Sequence, residues 1–392
     1  MLIKRLVLKN LLSFHESTVE LGPLNVLIGP NAVGKSNLIE AIGLLQAAPA
    51  SLAMAILRGG GARQWIGLGT GVQSSVAGVN CDLELTGGSQ FGSITYGLQF
   101  SDDPNGFAIH RERIERTGTD DGSDGIYLNR ESNRGEFGSE ALKLMQGPVP
   151  AQMAFQSSES VLSQFRNPVD PTPITELGNH FARIKIFREF RTGPQSGARN
   201  GVSTNAQKDT LLDGGDNLAL VLHELDFLGA HPRIKAYLQR FCERFEDVKV
   251  RVGEGLARTF LREAGLVEML SAIRMSDGTL KFLSLLAALF HPSPPPLMCI
   301  EEPEVGLHPD ALQLVAEALI EASERMQLIV TTHSEALVDA FTDRPETVLV
   351  CERDFDNGTQ MRRLSKEDMK EWLKHYTLGQ LWRKGEIGGG RW

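Results

Sequence analysis

Cysteine is scarce in this chain: only four occur among 392 residues, and they lie far apart. No CxxC pair is present, so the sequence indicates neither a zinc site nor a redox centre. Cys81, Cys242, Cys299 and Cys351 are therefore expected to be reduced, mostly buried thiols.

Long apolar runs are also missing. The longest one, at 280–290, contains Lys281 and is much shorter than the ~20 residues of a membrane span, so it predicts a core helix. Residues 1–10 alternate apolar and basic side chains and lack the features of a secretory signal. The sequence thus predicts a soluble, cytoplasmic protein that has no membrane contact.

An excess of positive charge is absent, since the net charge is −9, and the bulk electrostatics repel nucleic acid. DNA binding would need a local basic patch, and one run qualifies: Arg183, Lys185, Arg188, Arg191 and Arg199. The same run is more typical of a solvated face, given the acidic total charge. Composition leaves DNA binding open.

The hydrophobic content of 41% over this length is enough for two or three compact lobes. Residues 1–150 predict a nucleotide-binding opening followed by an antiparallel meander at 79–114 and a long loop at 117–139. Residues 151–270 predict a mainly helical lobe. Residues 271–392 return to an α/β pattern.

The α/β pattern near the end of the chain has three apolar strands, at 297–300, 327–331 and 347–351, with a helix at 310–325. Together with the strand at 24–28, these segments predict that the two ends of the chain form one parallel sheet. The fold class is therefore α/β, a mixed and mainly parallel sheet with an antiparallel subdomain and an inserted helical lobe.

The strongest motif is GPNAVGKS at 29–36, which matches the phosphate-binding pattern GxxxxGK[ST]. A strand enters it and an apolar-periodic helix leaves it, so backbone N–H groups and the helix N-terminus converge on phosphate; a chance glycine turn does not explain this setting. Lys35 would neutralise the β- and γ-phosphates of ATP, and Ser36 would ligate Mg²⁺. The predicted nucleotide contacts are Gly29, Asn31, Ala32, Val33, Gly34, Lys35, Ser36 and Asn37.

Two adjacent carboxylates, Glu301 and Glu302, end the apolar strand at 297–300. Adjacent side chains at a strand end point in different directions, so Glu301 can serve as a magnesium ligand and Glu302 as the general base for water. Two acids after a strand also often begin a solvated loop, but the EPEVGLHP sequence that follows makes that interpretation less favourable.

Two further elements gain meaning from their order in the chain. Ser276 and Gly278 precede an apolar helix, which is the pattern of an anion-binding helix start or of an ordinary N-cap. His333 follows the strand at 327–331, at the sheet edge where ligands of α/β folds bind, although such a histidine is often structural.

This set resembles the heads of ABC-type ATPases. The opening LKNLLSFHESTVELGPLNVLIGPNAVGKSNLIEAI resembles the SMC/RecF/OLD branch, and the segments IRMSDGTLKFLSLLAALF, CIEEPEVGLHP and TLGQLWRKGEIGGGRW resemble stand-alone bacterial predicted AAA/ABC-like ATPases. The resemblance covers residues 1–48 and 270–392 well and the region between them loosely. Neither a sustained heptad run nor room for a Toprim domain is found, so coiled-coil arms and a fused nuclease are not expected.

The resemblance implies a homodimer that closes head-to-tail across two ATP molecules with Mg²⁺. It implies that Ser276 and Gly278 contact the γ-phosphate held by the partner and that residues 304–309 cross the interface. It also implies a magnesium-sensing glutamine between the β-rich and helical lobes, where Gln156 and Gln164 both fit and Gln156 is preferred.

Three departures from the family pattern occur. The signature reads SDGT where transporter subunits show SGGQ, Ala32 stands where many relatives have glycine, and Asn37 replaces a hydroxyl residue. The Asn37 amide can still hydrogen-bond a phosphate oxygen.

Two functional hypotheses follow. The first is an ATP-driven switch for a separately encoded effector, such as a nuclease, in bacterial defence or genome maintenance. The second is a RecF-like clamp that binds DNA directly. A transporter subunit fits less well, because the insert between Lys35 and Glu301 is not the compact helical lobe of that class.

Overall fold

A computed structural model describes residues 1–67, 75–85, 91–104, 106–117, 125–145, 152–165, 167 and 169–388. Its strands are β1 (Leu2–Leu11), β2 (Phe14–Glu20), β3 (Leu24–Ile28), β4 (Val76–Glu84), β5 (Ser93–Asp103), β6 (Gly106–Arg116), β7 (Ile126–Glu131), β8 (Arg134–Phe137), β9 (Gln152–Ala154), β10 (Lys185–Phe187), β11 (Val202–Ser203), β12 (Phe245–Gly253), β13 (Leu256–Glu263), β14 (Leu270–Ser271), β15 (Leu297–Glu301), β16 (Gln327–Thr331), β17 (Val348–Asp354) and β18 (Gly358–Arg363).

The α-helices of the described residues are α1 (Lys35–Ala47), α2 (Leu52–Arg58), α3 (Ala62–Trp65), α4 (Ser139–Leu144), α5 (Val161–Gln164), α6 (Pro173–Ala182), α7 (Gly197–Asn200), α8 (Leu218–Phe227), α9 (His231–Phe241), α10 (Asp277–Leu289), α11 (Leu312–Ser323), α12 (Glu335–Asp339), α13 (Lys366–Met369) and α14 (Leu378–Lys384). No helix among them is both long and apolar enough to cross a membrane.

The chain divides into two compact units. The first unit comprises Met1–Ile184, Glu346–Ser365 and the chain from Gly385 onward; the second comprises Lys185–Pro345 and Lys366–Lys384.

The first unit contains a strand series in the order β3-β17-β18-β2-β1-β4-β5-β6-β7-β8-β9. β3 and β17 are parallel, with Val348 opposite Val26, and the other neighbouring pairs are antiparallel. The predicted meander is present as β4, β5 and β6. The β3–β17 pairing confirms that strands from both ends of the chain run parallel in one sheet.

The prediction of a long loop at 117–139 is wrong for part of this segment. β7 and β8 form a hairpin there, while 118–124 fall outside the described residues. The hairpin buries Tyr127, Leu128 and Phe137 together with the charged Arg130. The polar composition did not predict these strands, because one of their buried side chains, Arg130, is a cation whose hydrogen-bond partners only the folded protein supplies.

The second unit contains the parallel series β10-β15-β16 and a small antiparallel sheet, β11-β13-β12, with β14 also paired to β13. α10 buries Leu280, Phe282 and Leu283 fully, which confirms the predicted core helix. β15 and β16 confirm two of the predicted strands.

The middle of the chain is less helical than predicted. α6, α8 and α9 lie there, but so does the β12–β13 hairpin. β12 buries only Val248 among its nine residues and gains stability by pairing with β13, where Ala257, Thr259 and Leu261 are buried. Such an exposed strand has little apolar signal of its own. The boundaries at 150 and 270 stay a prediction.

Candidate functional site

The phosphate-binding loop connects the buried strand β3 to α1 in the first unit. Gly29, Ala32 and Gly34 have positive φ angles of 147°, 63° and 107°, which turns the backbone tightly before the helix starts at Lys35. A Cβ atom on Gly29 would overlap the carbonyl oxygen of Cys351, and one on Gly34 would overlap Thr359. Only glycine fits at these two positions, so the loop lies tightly against β17 and β18.

Lys35 holds its ammonium group against this loop. Nζ donates to the carbonyl oxygens of Gly29 at 2.7 Å and Pro30 at 2.8 Å, and the residue is only 6% exposed. Carbonyl dipoles stabilise a buried cation less well than a full negative charge does, so the loop is suited to an anion. Asn31, Ala32 and Ser36 are exposed beside Lys35. The arrangement fits a nucleotide phosphate.

A hydrogen-bonded network of polar side chains supports the phosphate-binding loop. Asn37 Nδ2 donates to Ser13 Oγ at 2.7 Å, Ser13 Oγ lies 2.7 Å from Thr359 Oγ1, and Thr359 Oγ1 donates to the Val33 carbonyl at 2.6 Å. The Asn37 amide, predicted as a phosphate contact, is directed here toward Ser13. Ser13 and Thr359 were missed by sequence reasoning because no motif spacing links them to the loop.

In the second unit, Glu301 ends β15 and pairs with a cation. Arg188 Nη1 donates to Glu301 Oε1 at 2.7 Å, and the Glu301 side chain is 16% exposed. Arg188 directly follows β10, whose Phe187 lies opposite Ile300 of β15. The parallel pairing therefore places the arginine at the carboxyl end of the acidic strand, whereas the sequence assigned it to a basic surface run.

Glu302 differs from Glu301 in backbone conformation and surroundings. Its φ angle is 46°, in the left-handed region, and its N–H donates to the Thr331 carbonyl at 3.0 Å. The side chain is 46% exposed, and Oε1 lies 3.7 Å from Nε2 of His333. The structure thus brings the predicted base and the predicted strand-end histidine together.

Glu304 fixes the position of His333. Its Oε1 accepts from Thr332 Oγ1 at 2.6 Å and from the His333 N–H at 2.9 Å. Burial raises the pKa of Glu304, and the nearby charge of Glu302 raises it further, against the lowering effect of these hydrogen bonds. Sequence reasoning placed Glu304 only in an interface loop; the contact with Thr332 and His333 joins positions almost 30 residues apart.

The start of α10 presents the predicted Ser-x-Gly segment. Ser276 is the exposed N-cap residue, and its Oγ accepts from the Thr279 N–H at 3.1 Å. A Cβ atom on Gly278 would lie 2.9 Å from the Gly306 carbonyl oxygen. The loop at 304–309 therefore packs directly against the first turn of this helix.

The two candidate glutamines have different environments in the first unit. Gln164 uses both ends of its amide locally: Oε1 accepts from the Gln156 N–H at 2.8 Å, and Nε2 donates to the Glu159 carbonyl at 2.9 Å. Gln156 has an exposed side chain. The geometry favours a structural role for Gln164 and leaves Gln156 as the better candidate for ligand contact.

A divalent metal bound here would need phosphate or water ligands in addition to protein side chains. Among the described residues, no group of three or more His, Cys, Asp or Glu side chains could hold a metal ion. Mg²⁺ usually takes one or two protein oxygens and completes its shell with phosphate and water. Hydroxyl and carboxylate oxygens are hard ligands of the kind that such an ion prefers, and Ser36 and Glu301 stay the predicted pair.

Comparison with solved structures shows an SMC-head fold. The SMC head bound to the C-terminal winged-helix domain of ScpA aligns over 94% of this chain and 99% of that structure, with a TM-score of 0.61 and 13% identity. The Pyrococcus furiosus SMC head with an extended coiled coil, bound to the C-terminal domain of ScpA, aligns over 95% and 98%, with a TM-score of 0.58 and 12% identity.

The fold and the phosphate loop together define an ABC-type ATPase head of the SMC/OLD-like kind. The chain belongs to the family described as "AAA domain, putative AbiEii toxin, Type IV TA system", whose model matches residues 24–150 and 154–339. It is also similar to the Old nuclease of Escherichia phage P2, with 30% identity over 125 residues. That match spans 32% of this chain and 19% of the nuclease.

Proposed function

We propose that this protein binds Mg-ATP at residues 29–37 and hydrolyses it to ADP and phosphate. The observation that carries the proposal is the buried Lys35 ammonium held inside a tightly turned loop at the start of α1. A cation, a helix N-terminus and left-handed backbone turns converge there, which is the chemistry that recognises a triphosphate.

Within this proposal, the residues of the second unit carry out the chemical step. Glu302 accepts a proton from the attacking water, and His333, which Glu304 holds beside Glu302, orients that water or contacts the γ-phosphate. Glu301 and Ser36 would hold Mg²⁺, which would neutralise charge on the phosphates. Gln156 senses that metal.

We further propose that ATP closes two copies head-to-tail, so that Ser276 and Gly278 contact the nucleotide held by the partner. The start of a 13-residue helix, with an exposed serine as its N-cap, supports this assignment. The proposed role is a switch for a separate effector, such as a nuclease, in bacterial defence or genome maintenance. The toxin–antitoxin description of the family and the similarity to a nuclease support that role.

The basic run lends the alternative of a DNA clamp little support. Three residues of the basic run are paired with carboxylates: Arg188 with Glu301, Arg191 with Asp216 and Arg199 with Asp277. Their charges are largely compensated within the protein, so little attraction for a phosphate backbone remains.

Calorimetry with Mg-ATP tests the binding step. Lys35→Ala should lose measurable affinity because it removes the cation aimed at the phosphates. Lys9→Ala, which removes an exposed lysine paired with Glu16, is the matched control and should bind as the parent does. Equal affinity of Lys35→Ala and the parent would show that the loop does not hold the triphosphate.

A further inference from the structure

A buried ion pair connects β6 and β7, apart from the residues assigned to ATP chemistry. Arg130 Nη1 lies 3.3 Å from Glu112 Oε2, and both side chains are 0% exposed. Burying two charges costs solvation that their mutual attraction often fails to recover, so such a pair adds little to stability. The remaining hydrogen bonds of the two side chains indicate what else the pair does.

Arg130 uses its planar guanidinium to hold one short turn. Nη2 donates to the Gln156 carbonyl at 2.6 Å and Nη1 donates to the Glu159 carbonyl at 2.6 Å, while Nε donates to the Ser132 carbonyl at 2.7 Å. The first two contacts fix both ends of the 156–159 turn. The backbone that carries Gln156 is thus tied to β7.

Glu112 holds the residues that follow. Its carboxylate accepts from the Val161 N–H at 2.8 Å and from the Tyr96 hydroxyl at 2.8 Å, and it also accepts from Ser160 Oγ. Val161 is the first residue of α5. The two side chains of the ion pair therefore hold the segment 156–161 by hydrogen bonds at both of its ends.

The same segment also reaches the helix that follows α1. The Glu159 carboxylate accepts from Ser51 Oγ at 2.6 Å and from the Leu52 N–H at 2.9 Å, which caps the N-terminus of α2. Residues 156–161 thus connect the meander to the helices after the phosphate loop, all within the first unit.

We propose that Arg130 and Glu112 are positioning residues that hold the Gln156 segment for the magnesium-dependent step. The proposal rests on the function assigned above to Gln156. It makes the meander a part of the catalytic apparatus: any change that separates β6 from β7 releases the loop that senses the metal.

Arg130→Lys tests the proposal because it keeps the charge beside Glu112 but removes the fork that reaches two carbonyls at once. Arg63→Lys, at the exposed arginine that pairs with Asp102 of β5, is the matched control. Hydrogen exchange of residues 156–161 without nucleotide should be roughly tenfold faster in Arg130→Lys and unchanged in Arg63→Lys. The Mg²⁺ concentration for half-maximal ATP hydrolysis should rise several-fold in Arg130→Lys alone.

A double-variant comparison separates positioning from general damage. Arg130→Lys should add little to the defect of Gln156→Ala if both act through the same segment. Should Arg130→Lys fold poorly, the charge-free pair Arg130→Met with Glu112→Leu replaces it, since apolar replacement of a buried ion pair commonly preserves folding.

Unchanged exchange at 156–161 would overturn the proposal, and so would faster exchange with an unaltered magnesium requirement, because the pair would then be only structural. The exchange measurement needs no ATP. A parent protein that fails to hydrolyse ATP would therefore refute the proposed function separately, while exchange still decides whether the pair holds the segment.

Discussion

Glu301 and Glu302 show how one backbone angle can give adjacent carboxylates different surroundings. Glu301 ends a regular strand and pairs with Arg188, whereas Glu302 turns into the left-handed region and exposes its carboxylate next to His333. A non-glycine residue in that region costs on the order of 1 kcal/mol. The conformation is maintained by the hydrogen bond from the Glu302 N–H to Thr331.

Glu302→Gln should stop hydrolysis and preserve Mg-ATP binding. The substitution keeps the size and hydrogen-bonding capacity of the side chain but removes the base, while Lys35, Ser36 and Glu301 are unchanged. ATP that is bound and not hydrolysed should stabilise the closed form by mass action, so light scattering should show more dimer only with ATP and magnesium.

Glu324→Gln, at an exposed position after α11, is the control and should hydrolyse at the parental rate. If Glu302→Gln also retains that rate, the assignment of the base is wrong. An inactive variant whose assembly ignores ATP would instead contradict the head-to-tail mechanism.

At the scale of elements, α10 joins the candidate dimer contact to the core. Its first turn carries Ser276 and packs against Gly306, and its later turns are buried. A change at the helix start should therefore affect assembly while the core stays intact.

Ser276→Arg should leave ATP binding by the monomer near parental but abolish hydrolysis, because a bulky cation at the helix start obstructs docking on the partner's nucleotide. Ser293→Arg, beyond the other end of α10, should remain active. Mixing Ser276→Arg with Lys35→Ala chains should restore activity at the one composite site that has neither defect. Hydrolysis by Ser276→Arg alone would rule out this contact.

Elements with a strong apolar pattern were predictable from sequence. β16 lies at its predicted bounds, and β15 extends one residue beyond the predicted strand, because buried parallel strands are continuously apolar. The phosphate loop was likewise predictable from its glycine spacing, because Gly29 and Gly34 have positive φ angles and no room for a Cβ atom.

Features that depend on distant partners were not predictable. The β7–β8 hairpin buries Arg130 against Glu112. Ser13 is hydrogen-bonded to Thr359, although most of the sequence separates the two residues. Arg188 contacts Glu301 because their strands pair. Each polar side chain looks like a surface residue in sequence, since only the tertiary fold supplies its partner.

At the scale of the whole molecule, the partly buried His180 makes the free energy of unfolding depend on pH. Burial lowers the pKa of His180 in α6 to about 4, with smaller contributions from the N-terminal amine and Arg183. The unfolded chain, with an ordinary pKa near 6.5, binds a proton more readily than the folded protein between pH 4 and 6.5. Stability should therefore rise with pH across this window.

His180→Gln should weaken that pH dependence. Between pH 6.5 and 4, the parent should lose about 3 kcal/mol of stability because of this residue. The variant should not show this loss. Urea unfolding at pH 4.5 and 7 measures the difference, and His375→Gln, at an exposed position, is the control. An equal change with pH in the parent and His180→Gln would contradict the assignment.

Under the proposed function, the Arg188–Glu301 pair affects the order in which the metal ion and the nucleotide enter the site. A carboxylate already neutralised by a guanidinium has little electrostatic reason to capture a bare divalent ion from solution. An ion that arrives already chelated by a triphosphate brings its own ligands and a negative charge that can compensate the displaced arginine. Under the proposed function, Arg188 therefore acts as a resident counter-ion of Glu301 that discriminates against free metal and favours the metal–nucleotide complex as the entering species.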